Sequence, residues 1–293
     1  EYFHYLLETE NYKEAENILK KLQSANISFL DIIDTFFLDK KFFDQILNSE
    51  LHVNHNIIFH EENISSNFDY VVIVMGNFEI FQKEIIPFVE SLKETSSNYL
   101  LSILINDINR DEFEIIYKKI KNLDIENISL YIENSENLNL GKSELKAFYT
   151  ARRFILANDL MEKFSKTLIV FDADTIINNN LKNYVASNKN IDIAVCIKKS
   201  FRYFHLTISA NQTMFNNTIN SKIFLKFYKN YIYYIINYKK IRWHVDQIVL
   251  YIAFIFTKKY FKAKIIDNLS QNNFKNKDCF FYHTVHGKYK LRK

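Results

Sequence analysis

Proline and tryptophan occur once each in 293 residues, cysteine twice and glycine three times. Cys196 and Cys279 both sit in apolar runs, where an unpaired thiol behaves as a small hydrophobe. No disulfide framework is implied, and a reducing compartment fits. Long hydrophobic runs are missing too: the longest, Ile248 to Phe256, falls far short of the ~20 residues that cross a bilayer. No signal-peptide pattern is visible and a cytoplasmic protein is expected, while a start at Glu1 rather than Met reads as a piece of something longer. Neither sign of charge dominates. The 38 Lys and Arg against 34 Asp and Glu leave +4, which gives no reason to expect nucleic acid but suits phosphorylated ligands or an anionic membrane face. Scarce Gly and Pro beside abundant Ile, Asn and Lys fit AT-rich coding, so the 16% of aromatic residues is no sign of stacking on bases. A chain this poor in glycine is expected to keep it where backbone geometry needs it, and Gly76, Gly141 and Gly287 all fall at turns that could face one cleft.

The stretch that organises the rest is Thr167 to Thr175, an apolar run ending in Asp172-Ala173-Asp174. Leu168 to Phe171 read as a parallel strand covered on both faces. In extended backbone residues i and i+2 share a side, so the two carboxylates are expected to aim at one point. In an open α/β sheet that point lies at the carboxyl ends of the strands, where ligands bind. Two hard oxygen donors there suit a divalent cation, and a cation suits a diphosphate. The bland alternative is a solvated strand end.

Around this stretch the pattern alternates. Strands are expected over 70–75, 100–105, 128–132, 168–171, 192–197, 264–266 and 279–282, and helices over 87–95, 110–122, 143–164, 221–236 and 245–256. Strand-helix alternation in the first half implies a parallel sheet with right-handed crossovers, and the irregular second half implies a mixed sheet. Residues 1–50 read as a separate helical segment. Ala15, Ile18, Leu19 and Leu22 recur at helical spacing in a stretch that resembles the second helix of a tetratricopeptide repeat, a surface suited to a protein partner, and a further helix is expected over 29–47. Residues 51–67 read as a linker; His52 and His55 have metal-ligand spacing, but nothing around them, His60, Glu61 and Glu62 included, is organised as a site.

Five short motifs, taken in order, carry a resemblance. They are Val71 to Asn77; Tyr149 to Leu156 with Arg152 and Arg153; Asp172-Ala173-Asp174; Asp246-Gln247-Ile248-Val249-Leu250; and His283 to Lys290. Together they resemble the nucleotide-diphospho-sugar glycosyltransferases of the GT-A fold, within them the glycogenin and lipopolysaccharide galactosyltransferase group. The resemblance implies a Rossmann-like mixed sheet flanked by helices over 68–293, preceded by the short helical segment. It implies a nucleotide-diphosphate sugar as donor, a glycan or glycolipid as acceptor, and bacterial surface polysaccharide as the setting. Met75, Gly76 and Asn77 would cup the nucleoside. Asp172 and Asp174 would hold the metal with His283 or His286; the family's histidine stands three residues before the glycine, whereas His283 stands four before Gly287 and His286 adjoins it. An imidazole beside two carboxylates favours Mn²⁺ over Mg²⁺. Arg152 or Arg153 would fork onto phosphate or sugar, and Lys290 would add a point charge. Neighbouring helical positions point about 100° apart, so one arginine faces the site and the other is expected in solvent.

Asp246 is the general base if the anomeric centre inverts. If it is retained, as in the resembled group, Gln247 sits under the anomeric carbon while Asp246 holds sugar hydroxyls; a helix N-cap is the plain alternative for Asp246. Two rival functions remain. A haloacid-dehalogenase-like phosphatase also carries Asp-x-Asp after an apolar strand, but at the start of its domain and followed by Gly-Thr, where Thr175 directly follows Asp174 here. A helical-repeat scaffold with a degenerate α/β domain is the other. In 221–238, Ile223, Phe224, Phe227, Tyr228, Tyr231 and Ile235 form a helical stripe read as core, while Lys222, Lys226, Lys229 and the basic end 288–293 would favour peripheral contact with an anionic bilayer.

Overall fold

A computed structural model describes residues 2–24, 37–53, 56–197, 207–268 and 279–283. Its centre is an eight-stranded sheet in the order β1-β4-β3-β2-β5-β8-β7-β9. These strands are β1 (Asn56–Ile64), β2 (Tyr70–Gly76), β3 (Tyr99–Asn106), β4 (Asn127–Asn134), β5 (Thr167–Phe171), β7 (Ile193–Ile197), β8 (Ile208–Phe215) and β9 (Ile265–Asp267). β4, β3, β2 and β5 run parallel, whereas β8 is antiparallel to both its neighbours and β1 is antiparallel to β4. The mixed α/β architecture expected from the sequence is therefore present.

Side-chain alternation divides the core. Val71, Ile73 and Met75 of β2 and Leu168 and Val170 of β5 join one apolar cluster; Tyr70, Val72, Val74, Ile169 and Phe171 join the other. The first cluster lies under α7 (Lys142–Phe164), α9 (Ile219–Tyr238) and α10 (Val245–Phe261), and the second under α5 (Ile86–Thr95), α6 (Arg110–Asn122) and α8 (Leu181–Ser187). The expected stripe of α9 is core: Phe224, Phe227, Tyr228, Tyr231 and Ile235 are all buried. Local chemistry sets the helix ends. In α6, Asn109 Oδ1 accepts from Glu112 N at 2.9 Å while Glu112 Oε2 accepts from Asn109 N at 2.9 Å, a reciprocal cap. Among the described residues no helix is long and apolar enough to cross a membrane.

Several expectations change. Residues 51–67 are not wholly a linker, because Asn56–Ile64 form the edge strand β1; its polar residues escape a strand pattern since much of its surface stays in solvent. His55 lies outside the described residues. Of the helix expected over 29–47, residues 25–36 lie outside the described set and α3 (Lys40–Leu47) starts only after Asp39, whose carboxylate accepts from Phe42 N at 3.1 Å. β8 and α8 were not foreseen, and neither was the small sheet of β6 (Thr175–Ile177) with β10 (Phe281–His283). β8 reads Ile-Ser-Ala-Asn-Gln-Thr-Met-Phe, so it buries polar Ser209, Gln212 and Thr213 between its apolar ends instead of forming an apolar run.

The N-terminal helices α1 (Tyr2–Glu8) and α2 (Tyr12–Ser24) pair with each other, and their buried side chains belong to the same cluster as α7, α9 and α10. The first 50 residues are thus not separate from the core. Phe43 of α3 is fully buried, with ring centroids 4.9 Å from Phe256 and 5.5 Å from Phe227. Asn230 of α9 donates to Ile46 O at 2.9 Å and Ser49 O at 3.0 Å, satisfying carbonyls at the end of α3. Phe43→Ala is expected to lower unfolding free energy by about 3–5 kcal/mol, and the exposed neighbour Lys41→Ala by less than about 0.5 kcal/mol, in urea titrations followed by circular dichroism.

Candidate active site

β2 and β5 pair only from Tyr70–Thr167 to Ile73–Val170, after which Val74, Met75 and Gly76 continue with β3 alone. Because the chain lays β3 and β4 on one side of β2 and then returns to add β5 on the other, this divergence is the topological switch of the sheet, where crevices open. Gly76 is required there by space: a Cβ would stand 2.5 Å from Ile80 Cγ2. Asn77 then caps α4 (Phe78–Ile80), its Oδ1 accepting from Ile80 N at 2.9 Å, and a π-helical turn, Phe81–Ile85, leads into α5. Met75, Gly76 and Asn77 therefore lie at the carboxyl end of β2, where it has parted from β5. Gly141 serves a different end, the N-cap of α7, where Glu144 Oε2 accepts its N–H at 2.8 Å.

Asp172 and Asp174 do not continue β5 in extended form. Strand β5 ends at Phe171, and Thr175 N donates to Asp172 O at 3.3 Å, so the two carboxylates sit in a tight turn between β5 and β6. A three-residue turn ending in β6 replaces the alternation that the sequence implied, although Asp172 N still continues the β5–β8 ladder by donating to Asn211 O at 2.8 Å. Across β6 the backbone of His283 lies opposite Thr175. That register sets His283 one pair from Asp174. His286, Gly287 and Lys290 lie outside the described residues, and no three His, Cys, Asp or Glu side chains gather as a metal group among those described.

The centre of the site is Arg153. From the middle of α7 its guanidinium donates through Nη1 to Asp172 Oδ1 and through Nη2 to Ala210 O at 3.0 Å, with Asp246 Oδ2 3.7 Å from Nη2. Nε is buried without a partner among the described residues. Burial works against the cation, yet Asp172 and Asp246 outweigh it and hold the Arg153 pKa above its ordinary value. Asp246, in the first turn of α10, is pushed up to about 6 by burial, with Arg153 pulling it back and Asp172 adding to the rise. Gln247 follows it, half-buried, and His244 precedes the helix in the left-handed region at φ 68°. The Tyr228 hydroxyl, buried and without a hydrogen-bond partner among the described residues, is raised far above its ordinary pKa by burial and by Asp246.

Arg152 is not in solvent and does not face this centre. It is 1% exposed, its Nε donating to Glu133 Oε1 at 2.8 Å and Oε2 at 3.0 Å. Helical geometry separated the two arginines as expected, but the second meets a buried carboxylate at the end of β4. Burial raises the Glu133 pKa against the opposing pull of Arg152. A donor-binding role for Arg152 therefore has no support in its contacts.

Two contributors were missed. Ala210 and Asn211 lie where β8 shifts register against β7, Val195 pairing with Thr213 but Cys196 with Ser209. At the bulge Ala210 O accepts from Arg153, while Asn211 O accepts from Asp172 N as the β5–β8 ladder runs one step past Phe171. A polar Ser-Ala-Asn-Gln run inside a strand was the available signal.

Asp246 gives a pH prediction. Its folded pKa of about 6 exceeds the unfolded value of about 3.9, so the native state binds the proton more tightly and loses stability as pH rises through that window. Asp246→Asn removes this cost. In metal-free protein the variant is expected to unfold about 1–3 kcal/mol later than the wild type at pH 7, and to match it near pH 4.

No protein-family model and no curated protein sequence matches the chain. Solved structures do. Mouse xyloside xylosyltransferase 1, in its apo form, aligns with a TM-score of 0.50 at 8% identity, over 77% of this chain and 100% of that one. The galactosyltransferase LgtC, solved in complex with donor and acceptor sugar analogs, aligns with a TM-score of 0.51 at 12% identity, over 73% of this chain and 86% of that one. At such identities the likeness is one of fold, and the fold is the mixed sheet flanked by helices found in these glycosyltransferases.

Proposed function

We propose that the protein is a metal-dependent glycosyltransferase that moves a sugar from a nucleotide-diphosphate donor to a glycan or glycolipid acceptor. Bacterial surface polysaccharide synthesis in the cytoplasm is the proposed setting. The observation that carries the reading is the Arg153 guanidinium lodged between Asp172 and Asp246 at the switch point of a sheet shared with glycosyltransferases.

The reaction breaks the bond between the anomeric carbon and the diphosphate oxygen and forms one to an acceptor oxygen, whose proton must leave. Met75, Gly76 and Asn77 would receive the nucleoside, and Arg153 Nε, buried without a partner among the described residues, has capacity left for a phosphate or sugar oxygen. Asp172, Asp174 and His283 or His286 would hold Mn²⁺ or Mg²⁺. A hard carboxylate pair in one turn, with the His283 backbone across the adjoining ladder, fits that donor set. When bound, the ion would supply Lewis-acid stabilisation of the departing diphosphate. In an inverting reaction Asp246, with its pKa near 6, accepts the acceptor proton; in a retaining one Gln247 lies beneath the anomeric carbon. Lys290 would add charge to the diphosphate. A phosphatase draws no support from the topology, since β5 follows three parallel strands instead of opening the domain.

Asp172→Asn and Asp174→Asn are expected to abolish Mn²⁺-dependent binding of nucleotide sugars by calorimetry while far-UV circular dichroism stays unchanged. Retained metal-dependent binding in both would remove the proposal, and phosphate release from phosphomonoesters would favour the phosphatase. In Mn²⁺ titrations His283→Ala is expected to weaken affinity more than His286→Ala, because position 283 is fixed on a paired strand; the opposite order would reassign the ligand.

A further inference from the structure

Lys222 and Lys226 are exposed on α9 among side chains that are otherwise core. A different surface combines charge with exposed aromatic rings. α9 ends at Tyr238, which is 64% exposed, and Trp243, the only tryptophan of the chain, is 43% exposed. Lys239 and Lys240 lie between them, both exposed, with Lys239 Nζ 5.7 Å from the Phe37 ring centroid, while buried Ile241 anchors the loop to the core. The first turns of α7 add exposed Lys142 and Lys146, with Lys146 Nζ 4.8 Å from the Trp243 ring centroid. The one carboxylate on that stretch of α7, Glu144, accepts the Gly141 N–H.

An exposed indole and an exposed phenol on a loop that carries two lysines, with two more at the start of α7, fit the headgroup region of an anionic bilayer. Amphipathic rings partition there, and each nearby cation adds to the attraction. Lys146 and Arg153 are seven residues apart on α7, two turns or about 10 Å, so this rim stands just outside the Asp172–Arg153–Asp246 centre. We propose that the loop 238–243 and the start of α7 form a docking surface for an anionic lipid bilayer. The docking follows from this surface alone; only its corollary, that a lipid-borne acceptor is thereby brought to Asp246, rests on the transferase reading.

The single tryptophan makes the test direct. The full chain is mixed with vesicles of phosphatidylcholine containing 30% phosphatidylglycerol, or of phosphatidylcholine alone, and followed by co-sedimentation and Trp243 emission. Binding with a blue shift is expected on the anionic vesicles only. Lys239→Gln with Lys240→Gln is expected to lower partitioning on the order of tenfold, whereas Lys222→Gln with Lys226→Gln leaves it unchanged. Three results overturn the proposal: no binding, equal loss in both double variants, or binding by the first variant as strong as wild type. A Trp243 response to soluble oligosaccharide without any response to vesicles also overturns it and makes the ring a sugar platform. None of these readouts involves glycosyl transfer, so loss of the docking surface and loss of the enzymatic reading are told apart.

Discussion

A guanidinium buried among carboxylates is the constraint from which the site follows. Arg153 comes from the centre of α7, Asp172 from the end of β5, Asp246 from the start of α10, and the Ala210 carbonyl from the bulge in β8. Four elements distant in sequence are thus tied at one cation. Removing the cation would strand two buried carboxylates, and removing both carboxylates would strand the cation, each at a cost of several kcal/mol. Asp246 shows the strain of the arrangement: even beside Arg153 its pKa stays near 6, because burial outweighs the attraction. A purely structural ion pair would gain from replacement by packed apolar residues. A carboxylate held near its titration point is what the proposed general base would need.

The sheet supplies the position and the bulge supplies the aim. β2 and β5 are parallel neighbours only as far as Ile73 and Val170, and beyond them the chains part. β8, antiparallel to β5, covers the side of β5 away from β2 and reaches past its end to fix Asp172 N through Asn211 O. A regular β8 would keep its carbonyls in the ladder with β7. Its register shift frees the Ala210 carbonyl to accept from Arg153 instead, while Asn211 O continues the ladder with β5.

Legibility from the sequence tracked apolar continuity. β2, β3 and β5 are buried on both faces and read directly, as did α6, whose stripe and reciprocal cap coincide at Asn109 and Glu112. β8 was hidden because its buried hydrogen-bonding groups look like loop composition: Gln212 donates to Tyr184 Oη at 2.9 Å and engages Asn268, contacts formed only in the folded chain. β1 was hidden for the opposite reason, since an edge strand with exposed faces needs no alternation. Within the site, residue types were legible and partners were not. That one of two adjacent arginines would face Asp172 follows from helical geometry, but Glu133 as the destination of the other needs β4 in place beside α7.

The end of the chain reaches this centre through a very short ladder. Three pairs join β10 to β6, from Phe281–Ile177 to His283–Thr175, and a ladder of that length is marginal alone. What holds it is packing: Phe281 is fully buried, 5.5 Å from Phe171 and 5.6 Å from Tyr184, and Phe280 O accepts from both Asn178 N and Asn179 N. Phe171 is the last residue of the strand that delivers Asp172. The same ring therefore registers the C-terminal segment and the carboxylate turn against each other, so the His283 position is set by the core beneath the site rather than by a ligand. Preorganisation of that kind would lower the ordering cost of the proposed metal site, in which position 283 lies more than 100 residues from Asp172 and Asp174 in sequence.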